Sequence, residues 1–199
     1  MRIEEGLFPA GDGSSYSYRG AGFFFMREKE EENVFRQEEK KEKDGRILHI
    51  LVSACLVGEN CKWDGGNNRN QALLDFMKRM EGRAEFHFIC PERDGGLPTP
   101  RPASEIRVSD ETVVNTEGRD VTAEFLLGAD IALQEAKKYG CTIAILKERS
   151  PSCGSSGIYD GTFSHSLRDG MGKTAALLSG YGLRIVGESQ IPELLRELL

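Results

Sequence analysis

The run Ile47-Leu48-His49-Ile50-Leu51-Val52 constrains this chain more than any other segment. Almost every position is apolar and half are β-branched, so a strand here has no face that favours water. Such a strand belongs inside a sheet covered on both sides. The chain downstream supplies the covers. Residues 71–80 carry Leu73, Leu74, Met77 and Met80 at helical spacing. Residues 84–89 place Phe86 and Phe88 in alternation and read as a second strand ending at Cys90. Asp120 or Thr122 is positioned to cap a helix over 123–139, with Phe125, Leu126, Ala129, Leu133 and Ala136 as its apolar stripe and Gly140 as its stop. Residues 142–146 predict a third strand, 173–179 a helix of small residues, 183–186 a fourth strand and 191–199 a closing helix. Residues 97–102 contain three prolines, which lack the N–H groups that a helix or central strand needs. Residues 148–164 read as a polar loop. Strands alternating with helices predict an α/β fold, a mostly parallel sheet flanked by helices in a Rossmann-like three-layer arrangement.

The first 45 residues differ in kind. Between 27 and 46, Glu, Lys and Arg interleave around only two apolar residues, Val34 and Phe35. Such a segment buries too little to order itself, so residues 1–45 are expected to be a low-complexity charged tail, disordered or a lone helix, and residues 46–199 the α/β domain. Met26 stands at the head of the charged run, and translation is expected to start there or later. Glu4 and Glu5 come early, and Gly22 interrupts the apolar patch at 21–26, which is the wrong pattern for a secretory signal. No apolar stretch approaches the roughly 18 residues of a membrane-spanning helix. A formal net charge of -6 argues against a general affinity for phosphate backbones. The expected setting is the cytoplasm, with no membrane or nucleic-acid partner. There the five cysteines read as metal ligands, catalytic groups or core residues before disulfides.

In an open parallel sheet, ligands bind in the crevice beyond the carboxyl ends of the strands. Three cysteines fall there: Cys55 after the first strand, Cys90 at the end of the second, and Cys153 in the loop after the third. Each sits among Gly, Pro and Ser, in loop positions where function concentrates. Spacing alone leaves them divided between a site and an ordinary core. Cys61 lies close enough to Cys55 to be a ligand or a spare thiol. Cys141 opens the third strand at the opposite end and reads as a small core residue.

The segments around these cysteines are Ser-Ala-Cys-Leu-Val-Gly at 53–58, Cys-Lys-Trp-Asp-Gly-Gly at 61–66 and Cys-Pro-Glu at 90–92. With them go Gly-Gly-Leu-Pro-Thr-Pro-Arg-Pro at 95–102, Lys-Glu-Arg-Ser-Pro-Ser-Cys-Gly at 147–154 and Ile-Tyr-Asp-Gly-Thr-Phe at 158–163. Together they resemble the family catalogued as domain of unknown function 523, whose characterised branch is thiouracil desulfidase. The resemblance spans residues 47–188 and leaves out the tail. It implies a [4Fe-4S] cluster held by Cys55, Cys90 and Cys153, with one iron lacking a protein ligand. Thiolates suit such clusters, and an open position makes a metal a Lewis acid. It also implies a non-redox reaction in which the substrate sulfur meets the open iron, water attacks the carbon that bore it, and hydrogen sulfide leaves. The implied substrate is a small thiocarbonyl compound, a 2- or 4-thiouracil-like pyrimidine, and the implied partner is cluster-assembly machinery. Glu92 matches the family's acid/base residue and Ser150 its hydroxyl partner, with Ser152 as the rival. The competing readings are a metal or redox sensor or a sulfur carrier on the same cysteines, without hydrolytic activity, and a zinc site on those thiols.

Other signals carry less. Gly172-Lys173-Thr174 resembles the end of a P-loop, but position 167 is Leu where that motif needs Gly. The helix start there is left as a possible contact for a polar ligand edge. Arg101 and Arg149 are candidates for lining a pocket or pairing with carboxylates. The three histidines read as unclustered, with His165 on the surface.

Overall fold

A computed structural model describes residues 47–199. The expectations for the charged tail at 1–45 and for a start at Met26 fall outside the described residues. Four strands form the central sheet: β1 (Leu48–Ser53), β2 (Ala84–Ile89), β5 (Ile143–Leu146) and β8 (Arg184–Gly187), in the order β2-β1-β5-β8 and all parallel. The helices are α1 (Gln71–Arg79), α2 (Pro91–Asp94), α3 (Thr122–Tyr139), α4 (Lys173–Gly180) and α5 (Ile191–Leu198). The three-layer α/β expectation holds.

The apolar run is why β1 sits where it does. Leu48, Ile50 and Val52 point to one face and pack with Leu73 and Phe76 of α1, with Met80 just past its end, and with Ile191 and Leu194 of α5. Leu51 points to the other face, into a cluster with Ala132 and Ala136 of α3 and Ala175 and Leu178 of α4. Cys141 joins that second cluster, buried as expected. The Asn70 side chain accepts the Leu73 N–H at 3.0 Å and so starts α1. Among the described residues, no helix is long and apolar enough to cross a membrane.

Some local expectations change. Leu126 is half exposed rather than part of the α3 stripe, and Gly128 and Ala132 take the buried positions. Asp120 supports the start of α3 by accepting the Thr122 N–H at 2.8 Å, whereas Thr122 is the first helical residue and its hydroxyl accepts the Val113 N–H. Phe88 is 46% exposed, because β2 is an edge strand with one thinly covered face. Residues 148–164 are not loop throughout: β6 (Gly157–Tyr159) pairs with β7 (Leu167–Asp169) in an antiparallel hairpin. A second antiparallel pair, β3 (Ser104–Ile106) with β4 (Val113–Asn115), fills the connection between α2 and α3. These short strands share a satellite core, Leu97, Ile106, Val113, Val121, Phe125 and Ile158, which rests one wall of the site on α3.

Candidate functional site

From β1 the chain moves to β2 on one side, then crosses to β5 on the other, so the crevice opens at the carboxyl ends of these three strands. Cys55, Cys90 and Cys153 hang from those ends and line one cavity of about 380 Å³, together with Cys61. That volume is in the range of small-molecule sites. Cys55 leaves β1 on a single 3-10 turn, Ala54–Val57. Cys90 directly precedes Pro91, the first residue of α2, where a missing N–H costs nothing. Cys153 lies in a loop tied to the start of α4: the N–H groups of Lys173 and Thr174 donate to the carbonyls of Pro151 and Ser152, both at 2.9 Å. Gly172 permits this closeness, since a Cβ there would come within 2.4 Å of the Ser152 carbonyl group. The N–H groups at this helix start are therefore used internally and are not offered to a ligand.

The thiols divide by environment. Cys61 is buried among Ala54, Cys55 and Cys90. Its hydrogen bonds with Cys55 and Cys90 push its own thiol up, because its single S–H is held by whichever neighbour is ionised, while the Cys90 thiol lies 3.6 Å from the Cys61 carbonyl oxygen. The same contacts lower Cys55 and bring Cys90 down to about 7. Asn68 Nδ2 donates to Cys55 Sγ at 3.6 Å, and the charge of Lys147 also favours that thiolate. Cys153 is shifted the other way by burial. All the cysteines of the described residues are free thiols.

Beside the thiols stands a carboxylate with fixed partners. Arg101, with its side chain 4% exposed, donates to Glu92 Oε2 through Nε at 2.9 Å, and its Nη2 stands 2.8 Å from the same oxygen as an ion pair. Its remaining donors go to the carbonyls of Pro98 and Cys61 and to the Thr99 hydroxyl. The Ser150 hydroxyl donates to Glu92 Oε1 at 3.3 Å and accepts the N–H groups of Ser152 and Cys153, each at 3.1 Å. Ser150 is thus both the turn residue that shapes the Cys153 loop and the hydroxyl that faces Glu92. The position of Glu92 rests on close backbone packing of α2 against α3: a Cβ on Gly128 would lie 1.9 Å from the Pro91 carbonyl oxygen.

The structure thus brings Cys55, Cys90, Cys153, Glu92 and Ser150 to one cavity. Ser152 is fully buried and bonds to the Thr174 hydroxyl at 2.8 Å, away from the cavity. Arg149 is at the exposed rim, and so is His165, which lies in a bend. Lys147 and Asn68 were not foreseen. Lys147 follows β5 immediately, and its ammonium pairs with Glu188. Trp63 and Tyr159 add aromatic surface to the lining. The three histidines were expected apart, but His49 and His87 touch at 3.1 Å, because the β1–β2 register sets His49 beside Glu85 and Leu51 beside His87. Neither histidine lines the thiol cavity.

Known proteins give this geometry a context. The sequence profile of the family described as 2-thiouracil desulfurase matches residues 50–190. The uncharacterized protein YbbK of Bacillus subtilis (strain 168) is 39% identical over 154 residues, which are 73% of this chain and 99% of that relative. A solved structure titled [4Fe-4S]-dependent thiouracil desulfidase TudS is 46% identical and superposes with a TM-score of 0.68, covering 76% of this chain and 97% of that one.

Proposed function

The chain belongs to the 2-thiouracil desulfurase family, and from that premise we propose how its cavity works. The enzyme carries out iron–sulfur-dependent desulfuration of a thiouracil-like compound, replacing C=S by C=O with water and releasing hydrogen sulfide. The observation that carries the assignment of residues is the meeting of three strand-end thiols with the Arg101-held Glu92 in one cavity.

Cys55, Cys90 and Cys153 would hold a [4Fe-4S] cluster supplied by cluster-assembly machinery. The donor set fits: three soft sulfurs meet beyond the ends of the strands, and the pKa values of Cys55 and Cys90 are lowered from the ordinary thiol value, chiefly by hydrogen bonding with Cys61. When bound, the cluster supplies a thiophilic Lewis acid with one position free of protein.

The chain's own residues do the rest. The Arg101 guanidinium on Oε2 fixes the orientation of Glu92 and leaves Oε1 as the oxygen placed to act as a base. Oε1 is the oxygen available to take a proton from the attacking water. Ser150 supplies the hydroxyl beside Oε1, returning a proton toward the pyrimidine ring or its departing sulfur. Trp63 and Tyr159 offer faces on which a flat pyrimidine can lie. Cys61 acts as a thiol whose one S–H Cys55 and Cys90 share, not as a fourth ligand.

The test is iron and acid-labile sulfide per chain after anaerobic reconstitution, followed by sulfide release from 2- and 4-thiouracil. About four of each per chain with turnover supports the reading. A folded, iron-loaded chain that releases no sulfide from either compound favours a sensor or sulfur carrier instead. A chain that takes zinc but no cluster overturns the ligand assignment.

A further inference from the structure

We propose that His49, Glu85 and His87 form a second metal site, for a divalent late first-row cation such as Zn²⁺, on the sheet face covered by α3. His49 lies on β1, and Glu85 and His87 lie two residues apart on β2, so all three project from the same face. His49 Nδ1 is 3.1 Å from His87 Nε2 and 3.6 Å from Glu85 Oε2, and the three donor atoms all lie within 4.8 Å of one another. Ligands at the usual Zn–N and Zn–O distances and a tetrahedral angle stand about 3.3–3.5 Å apart. The two shorter separations bracket that value, and Glu85, mostly exposed, can swing to close the third.

The rings are also held ready. His87 stacks on Tyr139 with centroids 3.7 Å apart and planes 13° from parallel, which fixes the direction of its nitrogen. Two imidazoles and a carboxylate are a set that zinc accepts, leaving a fourth position for water on the open side. The metal would clip the edge strand β2 to β1, the two strands that carry Cys90 and Cys55 at their far ends. The site shares no residue with the cysteine cavity, so its success or failure is separate from that of the desulfidase reading.

The test uses the cluster-loaded protein. Zinc is titrated calorimetrically, and ¹¹³Cd²⁺ is then bound and its NMR shift read. The shift separates nitrogen and oxygen ligation from thiolate ligation, even if some cysteines take cadmium. The expected result is one zinc per chain outside the cysteine cavity, a cadmium resonance in the nitrogen/oxygen range and a higher Tm with zinc. Losing a partner one bond removed from a metal already costs about 10–100-fold in affinity, so Glu85→Gln should weaken binding at least about tenfold. His49→Gln should remove the resonance. Glu85→Gln alters an exposed side chain, so the fold persists and sulfide release should stay unchanged. No nitrogen/oxygen cadmium resonance in the wild type, or zinc affinity unmoved by Glu85→Gln and His49→Gln alike, overturns the site.

Discussion

Arg101 spends two of its nitrogens on a single oxygen of Glu92: Nε at 2.9 Å and Nη2 at 2.8 Å both reach Oε2, while Oε1 faces the Ser150 hydroxyl at 3.3 Å. The carboxylate is therefore split into an oxygen anchored by Arg101 and one that faces Ser150. Because the guanidinium is nearly fully buried, this pairing is stronger than a surface ion pair and fixes where Oε1 points.

Glu92→Gln keeps the shape of the side chain and removes the base. General acid–base groups contribute about 10²–10⁴-fold, so sulfide release should fall by that order while iron per chain stays constant. Near-normal turnover in an iron-replete variant would remove Glu92 from the reaction. Arg101→Ala should do broader damage, since it strands a carboxylate at 17% exposure, and breaking a buried pair costs about 3–5 kcal/mol. Thermal unfolding of the two variants separates the cases: only the arginine change should lower Tm sharply.

The two serines should part in opposite directions. Ser152→Ala removes a buried hydroxyl from the Thr174 pair and should destabilise the chain by about 1–3 kcal/mol with kcat nearly intact. Ser150→Ala removes the hydroxyl beside Glu92 Oε1 and should lower kcat more than stability. Steady-state rates and Tm measured on both variants decide it. A kcat loss confined to Ser152→Ala would exchange their roles.

What could be read from residues alone follows from how local each signal is. β1 was legible because a run such as Ile50-Leu51-Val52 has only one comfortable place in a fold, and α3 because Phe125, Ala129 and Ala136 recur on one side. The strand-end cysteines followed from parallel topology, and the chemistry proposed for them rests on family motifs. Leu126 was misplaced because helical spacing defines a stripe wider than the face that α3 buries. The β3–β4 and β6–β7 pairs were missed because three-residue strands carry no period. They are held by tertiary contacts, such as Glu105 accepting the N–H groups of Gly161 and Phe163. The His49–His87 contact depends on the register of two parallel strands, which no single segment encodes.

Gly128 gives a prediction about positioning at a distance. A methyl group there would overlap the Pro91 carbonyl oxygen, so Gly128→Ala must push α2 off α3 and displace Cys90 and Glu92 with it. Overpacking of this kind costs about 1–3 kcal/mol. The expected outcome is a lower Tm together with reduced iron loading and reduced turnover per iron. Unchanged iron content and turnover would show that the α2–α3 contact does not position the site.

The thiols of the cluster-free chain should titrate in an order set by Cys61. Cys90, lowered to about 7 chiefly by its hydrogen bond with Cys61, should be about half thiolate near pH 7, where an unperturbed thiol two units higher is only about 1% ionised. Because the folded pKa lies below the ordinary one, the ionised form is favoured above it and lost as pH falls through 7. Brief anaerobic alkylation at a series of pH values, mapped by peptide mass spectrometry, should give Cys90 a midpoint near 7. Cys153, raised by burial, should stay unreactive over the same range. Cys61→Ala removes the donor and should move the Cys90 midpoint upward, whereas Cys61→Ser keeps a donor and should hold it near the wild-type value. A wild-type midpoint close to 9, or a Cys61→Ala midpoint that does not move, would mean that Cys61 is a bystander in the cavity and does not prepare its neighbours to bind metal.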